Sequence, residues 1–274
     1  MDSKQLEKIA YELRLDVIEM LEKAGSGHIG GAFSIADVVT CLYFNFAKLD
    51  PNNPDWAERD YIILSNGHVC PILYAALAKK GYFPREELYN LRTIDSLLQG
   101  HPKLGIPGVE NSSGLLGQGL SQGIGIALGL KIDNKSNKVI VLTSDGEHQE
   151  GQTWEAIMSA NKWKLENLIV IVDRNYVQID GNTEDIMPLG SLKEKYESFG
   201  WTALEIDGHK YEDIVNVLEF SRKITGPVVI IADTIAGKGI RFMEGKYQYH
   251  DWKDDKQESD LAKKELIMKI EKLN

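Results

Sequence analysis

The chain has 274 residues, 43% of them apolar and 26% charged, the balance of an ordinary soluble globular protein with one large domain or at most two. This excludes collagen-like, disordered and disulfide-scaffold chains. Asp and Glu outnumber Lys and Arg by 41 to 31, and the resulting net charge of −10 argues against general affinity for nucleic acid or anionic membranes. The only cysteines, Cys41 and Cys70, lie in apolar runs and read as buried, reduced thiols of a cytoplasmic protein. The first ten residues are polar and charged, unlike a signal peptide, and no apolar run reaches the length of a membrane span.

No Ser/Pro tract, like-charge block or solenoid period divides the chain, so residues 1–274 read as a single domain. Leu6, Ile9, Leu13, Val17, Met20 and Leu21 fall on one helical stripe and predict a helix over 3–23. Ser34 reads as the N-cap of a second helix ending near Phe46. A short buried strand is expected at 61–64, a helix at 68–80, and a long Gly/Pro/Ser/Asn-rich loop at 99–117, of a length that is usually functional. Residues 138–143 read as a strand, 153–162 as a helix with Trp154, Ile157 and Met158 on its apolar side, and 168–172 as a second strand. That order at that spacing is a βαβ unit with parallel strands. Further helices are expected at 191–199, 211–224 and 256–273, with strands at 202–206 and 228–232. The continuous β-branched strands predict a three-layer α/β fold: a mostly parallel sheet with helices on both faces.

Ligands of open parallel sheets bind beyond the carboxyl ends of the strands. Ser144-Asp145-Gly146 follows one predicted strand, and Asp173-Arg174-Asn175-Tyr176-Val177 follows the next. Asp145 and Asn175 lie 30 positions apart, one βαβ repeat, and so share a sheet edge. One carboxylate, one amide oxygen and a nearby backbone carbonyl make a partial all-oxygen shell suited to Mg²⁺ or Ca²⁺. Gly146 permits close backbone approach, and the following helix N-terminus offers N–H groups to an anion. Taken alone, an Asp-Gly pair and a distant Asn read more simply as a helix cap and a turn.

The wider pattern alters that balance. Asp145-Gly146, Glu150-Gly151 and the closing Asn175 resemble the thiamin diphosphate motif of the transketolase family. Ser26-Gly27-His28, Ser65-Asn66-Gly67-His68, Gly100-His101-Pro102 and Gly114-Leu115-Leu116-Gly117-Gln118-Gly119 match that family in order and spacing over nearly the whole chain. The resemblance implies that Asp145 and Asn175 give side-chain ligands to the divalent cation, Val177 a backbone carbonyl, and that the diphosphate packs on Gly146. It places His68 beside the diphosphate and thiazolium, Gly114 against the aminopyrimidine, and Leu116 as apolar support. His28 and His101 would bond the hydroxyl and carbonyl groups of the sugar donor, with His250 a late histidine facing the substrate. Glu150 would lie at an inter-subunit contact. Ser144 departs from the family by replacing the first Gly of its motif; its Cβ demands a negative φ, and its hydroxyl could bond a phosphate. Leu115 stands where Pro is common.

Near-neutral proton transfer at sugar hydroxyls suits imidazole. Of the six histidines, His148 and His209 read instead as surface or capping residues. Gly119, Gly123, Gly125 and Gly129 in one helix read either as a tight crossing within the domain or as close approach to a second protomer, and the family favours the latter. The family's pyrimidine-binding and C-terminal domains have no counterpart in this sequence. The resemblance therefore implies an N-terminal subunit of a split transketolase, working with a C-terminal subunit, in two copies of each (α2β2), on sugar phosphates. Other readings are a transketolase-like subunit for an unusual sugar phosphate, a deoxyxylulose-phosphate synthase or E1-type enzyme, and a non-catalytic cofactor-holding subunit. Neither Gly-x-Gly-x-x-Gly nor Gly-x-x-x-x-Gly-Lys-[Ser/Thr] occurs, which argues against a simple NAD or ATP domain.

Overall fold

A computed structural model describes every residue, Met1–Asn274. Helix α1 (Ser3–Ala24) starts on an Asp2/Gln5 capping box and ends on Gly25 in the left-handed region. Two short helices, α2 (Gly30–Ser34) and α3 (Ala36–Cys41), precede a π-helical turn over Leu42–Phe46. Next come strand β1 (Tyr61–Leu64), α4 (Cys70–Lys80), α5 (Gln118–Ile132), β2 (Val139–Ser144), α6 (Gly151–Lys162) and β3 (Leu168–Arg174). A small hairpin, β4 (Val177–Gln178) with β5 (Gly181–Asn182), leads into α7 (Thr183–Ile186) and α8 (Leu192–Ser198). The chain closes with β6 (Thr202–Asp207), α9 (Tyr211–Ser221), β7 (Val228–Asp233) and α10 (Lys256–Lys272).

The five long strands form one sheet in the order β1-β2-β3-β7-β6, every neighbouring pair parallel. Alternation along each strand sends side chains into two separate cores. Ile62, Leu64, Ile140, Leu142, Ile169, Ile171, Val228 and Ile230 join the larger core under α1, α3, α4, α9 and α10. Ile63, Val139, Val141, Leu168, Val170, Val172, Val229 and Ile231 join the second, under α5, α6 and α8. Both faces are therefore covered, as the unbroken apolar strands require, and the expected three-layer α/β architecture is present. Cys41 and Cys70 are free and buried. No helix is long and apolar enough to cross a membrane.

Several local expectations are corrected. Ser34 caps no helix: it is the last residue of α2, and its hydroxyl is drawn to the Asp173 carboxylate, 2.5 Å away. On α6 the buried side is Thr153, Ala156, Ile157 and Ala160; Trp154 is only partly buried and Met158 is 56% exposed. The glycines of α5 divide. A Cβ on Gly119 would lie 2.6 Å from the Cα of Ser65, and one on Gly123 would lie 2.5 Å from Val141, so these two serve packing on the sheet. Gly125 and Gly129 face open space.

A buried charge network joins the first core to the loop after β7. Arg14, 1% exposed, donates two 2.8 Å hydrogen bonds to Asp37 and a further pair to the Phe33 carbonyl. Tyr211 donates its hydroxyl and His209 its Nδ1–H to the same carboxylate, while His209 Nε2 accepts from the Ile235 N–H. His209 is thus an internal strut rather than a surface residue.

Candidate active site

All five long strands run parallel, so the loops following β1, β2, β3 and β7 meet at one edge, where the chain forms a cavity of about 380 Å³. Its lining includes His28, His68, His101, His250, Gly114, Leu116, Ser144, Gly146, Glu150, Asn175 and Val177, drawn from motifs far apart in the sequence. Asp145 is absent from this lining, fully buried beneath it.

The strand ends set the floor. Asp145 Oδ1 accepts from the Gly146 N–H at 2.7 Å; Oδ2 accepts from the Tyr176 N–H at 2.8 Å, from Arg174 at 3.2 Å and from Thr183 at 3.4 Å. Tyr176 adopts φ 61°, a left-handed turn unusual for a bulky residue, which folds Asn175–Val177 back toward Asp145. Asn175 Oδ1 accepts from the Val177 N–H at 3.0 Å, and its Nδ2 donates to Asp173 at 2.7 Å and Ser34 at 3.2 Å. The carboxylate and amide oxygens of Asp145 and Asn175 therefore both bond to backbone of one three-residue turn. That all-oxygen set suits a hard cation, with Arg174 balancing the Asp145 charge. Burial raises the Asp145 carboxyl above its ordinary value, opposed by Arg174 and the backbone donors. Burial pushes Asp173 up to about 7, although Ser34, Thr234 and Asn175 all donate to it. Ser144 has no positive φ, so the Ser-for-Gly replacement adds no backbone strain.

The walls carry the histidines. His28, His68 and His250 stand together with ring centroids 5.0–5.6 Å apart. Burial pushes His68 down to about 3 and His28 down to about 4, and it also lowers His250 and His101. These imidazoles are neutral at physiological pH rather than titrating there, each offering one donor and one acceptor. Several buried polar atoms lack a partner within the chain: His28 Nδ1, both side-chain atoms of Asn66, and Glu147 Oε2. All three residues line the cavity, so it presents unsatisfied donors and acceptors to a polar ligand. The loop holding Gly114 and Leu116 ends at Gly117, φ 81°, where a Cβ would lie 3.0 Å from that of Glu150. Its N–H donates to Glu147 at 2.7 Å, and Glu147 also accepts from Ser65.

Comparison with known proteins gives this arrangement its family. Residues 5–273 match the family described as transketolase, thiamine diphosphate binding domain. The chain belongs to the transketolase family. It is 43% identical over 250 residues to the 6-deoxy-6-sulfo-D-fructose transketolase subunit of Clostridium sp. (strain MSTE9), covering 90% of this chain and 91% of that protein. It is 38% identical over 276 residues to an apulose-4-phosphate transketolase subunit of Phocaeicola vulgatus, covering 100% of this chain and 98% of that one. A crystal structure of transketolase from Campylobacter jejuni superposes with a TM-score of 0.92 at 33% identity over 97% of this chain. Our chain spans only 43% of that longer transketolase chain.

Several residues of this transketolase site escape notice in the sequence. Glu147, Asp173 and Asn66 are buried polar residues in the cavity wall; all three lie inside the matched motifs but have side chains whose direction only the fold supplies. Arg174 pairs with Asp145 and also with Glu184 at 2.5 Å. Arg92, at φ 62°, donates to Ser26 at 3.0 Å, and its charge adds to burial in lowering both His28 and His101, so a guanidinium stands beside the histidine wall. His148 is buried, contrary to expectation: its Nδ1–H donates to the Ser144 carbonyl and its Nε2 accepts from Tyr196, each at 2.8 Å.

Proposed function

We propose that this chain is the diphosphate-binding subunit of a split transketolase, moving a two-carbon ketol unit from a ketose carrying an anionic group to an aldose. The observation that carries the reading is the convergence of four histidine loops and the Asp145/Asn175 strand ends on one cavity. Asp145, Asn175 and the Val177 carbonyl hold Mg²⁺ or Ca²⁺, and the backbone at Gly146 receives the diphosphate. Thiamin diphosphate, when bound, supplies a nucleophilic ring carbon and an electron sink. His68 packs beside the diphosphate and thiazolium, Gly114 meets the aminopyrimidine, and Leu116 forms apolar support. His28, His101 and His250 orient the sugar by hydrogen bonds to hydroxyl and carbonyl oxygens, with neutral imidazoles able to give and take protons at those atoms. Arg92 stands where it attracts an anionic sugar.

A separate C-terminal subunit supplies the pyrimidine-binding domain, and Glu150 lies at that contact. The open face of α5 at Gly125 and Gly129 supports self-association, giving α2β2. We place the enzyme in the cytoplasm. The names of the two full-length relatives, one acting on a sulfonated ketose and one on apulose-4-phosphate, favour a less common anionic sugar as substrate. The test mixes this chain with a candidate C-terminal subunit, thiamin diphosphate and Mg²⁺, and follows ketol transfer from a panel of phosphorylated and sulfonated ketoses. Transfer that requires both chains and both cofactors supports the proposal; cofactor uptake without turnover of any donor refutes it in favour of a cofactor-holding subunit.

A further inference from the structure

Residues 27–29 and 250–252 run antiparallel at the rim of the cavity. His28 and Asp251 form a bridge pair, the Ile29 N–H donates to the His250 carbonyl at 3.2 Å, and the Trp252 N–H donates to the Gly27 carbonyl at 2.7 Å. The backbones are held close, since a Cβ on Gly30 would lie 2.8 Å from the Tyr249 carbonyl oxygen. This pairing brings two imidazoles and a carboxylate together, with one ligand atom from each of His28, His250 and Asp251 within 4.8 Å of the others. His28 Nε2 is 3.2 Å from Asp251 Oδ1, and Asp251 is 65% exposed, so the cluster opens to solvent.

We propose that His28, His250 and Asp251 form a binding site for a transition-metal cation of the zinc type, distinct from the oxygen site at Asp145 and Asn175. Two nitrogens and one oxygen, with a fourth position left to water, make up a common zinc shell with an open site. At metal–ligand bonds of about 2.0–2.2 Å, tetrahedral donors stand roughly 3.3–3.6 Å apart. The His28–Asp251 pair already stands at 3.2 Å and all three donors lie within 4.8 Å of one another, so reaching that spacing needs a closure of at most roughly 1.5 Å. Imidazole ligands favour Zn²⁺, Co²⁺, Ni²⁺ and Cu²⁺, whereas Mg²⁺ prefers the all-oxygen set. The 3.2 Å contact between neutral His28 and exposed Asp251 is a polar contact open to solvent and worth little, so a cation displaces it readily. A metal at this rim engages two imidazoles that the proposed reaction reserves for the sugar, and so inhibits by competing with the ketose; that consequence, unlike the binding, rests on the reading above.

The experiment titrates the full chain with Co²⁺ in excess Mg²⁺, reading the visible absorption of four-coordinate cobalt, then displaces it with Zn²⁺. One equivalent should bind. Asp251→Ala, at an exposed position that leaves folding intact, and His250→Ala should each weaken Co²⁺ binding by about 100-fold or more. Asp145→Ala should leave it unchanged while abolishing Mg²⁺-dependent cofactor uptake. Absence of the cobalt band, or equal affinity in Asp251→Ala and wild type, overturns the metal site. Cobalt binding without any thiamin diphosphate uptake by the assembled subunits upholds the metal site and refutes only the proposed function.

Discussion

Replacing Asp37 with Ala tests the energetic centre of the larger core. Asp37 is 3% exposed and is the only carboxylate bonded to Arg14, itself 1% exposed. Removal strands a buried guanidinium and also leaves the Tyr211 hydroxyl and the His209 Nδ1–H without their acceptor. Breaking a buried pair from one side costs about 3–5 kcal/mol, because desolvation of the survivor is no longer offset. For a chain of this size each kcal/mol moves Tm by roughly 2–4 °C, so Asp37→Ala should melt about 6–20 °C lower by calorimetry or circular dichroism. An apolar double replacement, Arg14→Met with Asp37→Leu, should recover much of the loss, since it removes both charges together. The pH dependence follows the same pair. Arg14, despite opposing burial, holds Asp37 well below the usual carboxylate range. The stabilisation is therefore complete above the ordinary carboxylate pKa of about 4 and lost as pH falls below it. A Tm for Asp37→Ala within a degree or two of wild type would refute this reasoning.

Other outcomes follow from the same structure. Gly123→Ala should destabilise by about 1–3 kcal/mol in denaturant melts because its Cβ meets Val141 at 2.5 Å. Gly125→Ala, with nothing near its Cβ, should stabilise the isolated chain by about 0.5–1 kcal/mol. If this face of α5 meets a second copy, Gly125→Ala should weaken self-association in sedimentation runs, and unchanged association would exclude the face. His148, pushed down to about 4 by burial, takes up its proton in the unfolded chain first. Stability from this group is present above about pH 6.5 and lost as pH falls toward 4. His148→Gln should flatten that part of a pH–stability curve, and an unaltered slope would contradict the assignment.

The sheet was legible from sequence because β1, β2, β3 and β7 are short apolar runs, the pattern that burial on both faces demands, while β6, at the sheet edge, alternates buried and exposed residues. The cavity was legible because its histidines, glycines and acids lie in loops directly after strands, where a parallel sheet gathers them at one edge. Misread residues have side chains that answer to partners distant in sequence. Ser34 looked like a cap because its nearest sequence neighbours are helical, yet its hydroxyl serves Asp173, on the third strand. His148 and His209 sit beside turns but are enclosed by Tyr196 and Asp37. The β4–β5 hairpin, with two residues per strand, is too short to show any period. Asp145 shares a sheet edge with Asn175, as their spacing of one βαβ repeat predicts, but lies under the cavity floor, held there by the left-handed turn at Tyr176, which no local pattern announces.

The most direct test is calorimetric titration of this chain, assembled with a candidate C-terminal subunit, with thiamin diphosphate in the presence and absence of Mg²⁺. Saturable uptake that depends on the metal, and that disappears in Asp145→Ala and weakens in Asn175→Ala, is the predicted result. No uptake, or uptake indifferent to Mg²⁺ and to loss of the Asp145 carboxylate, would contradict the account.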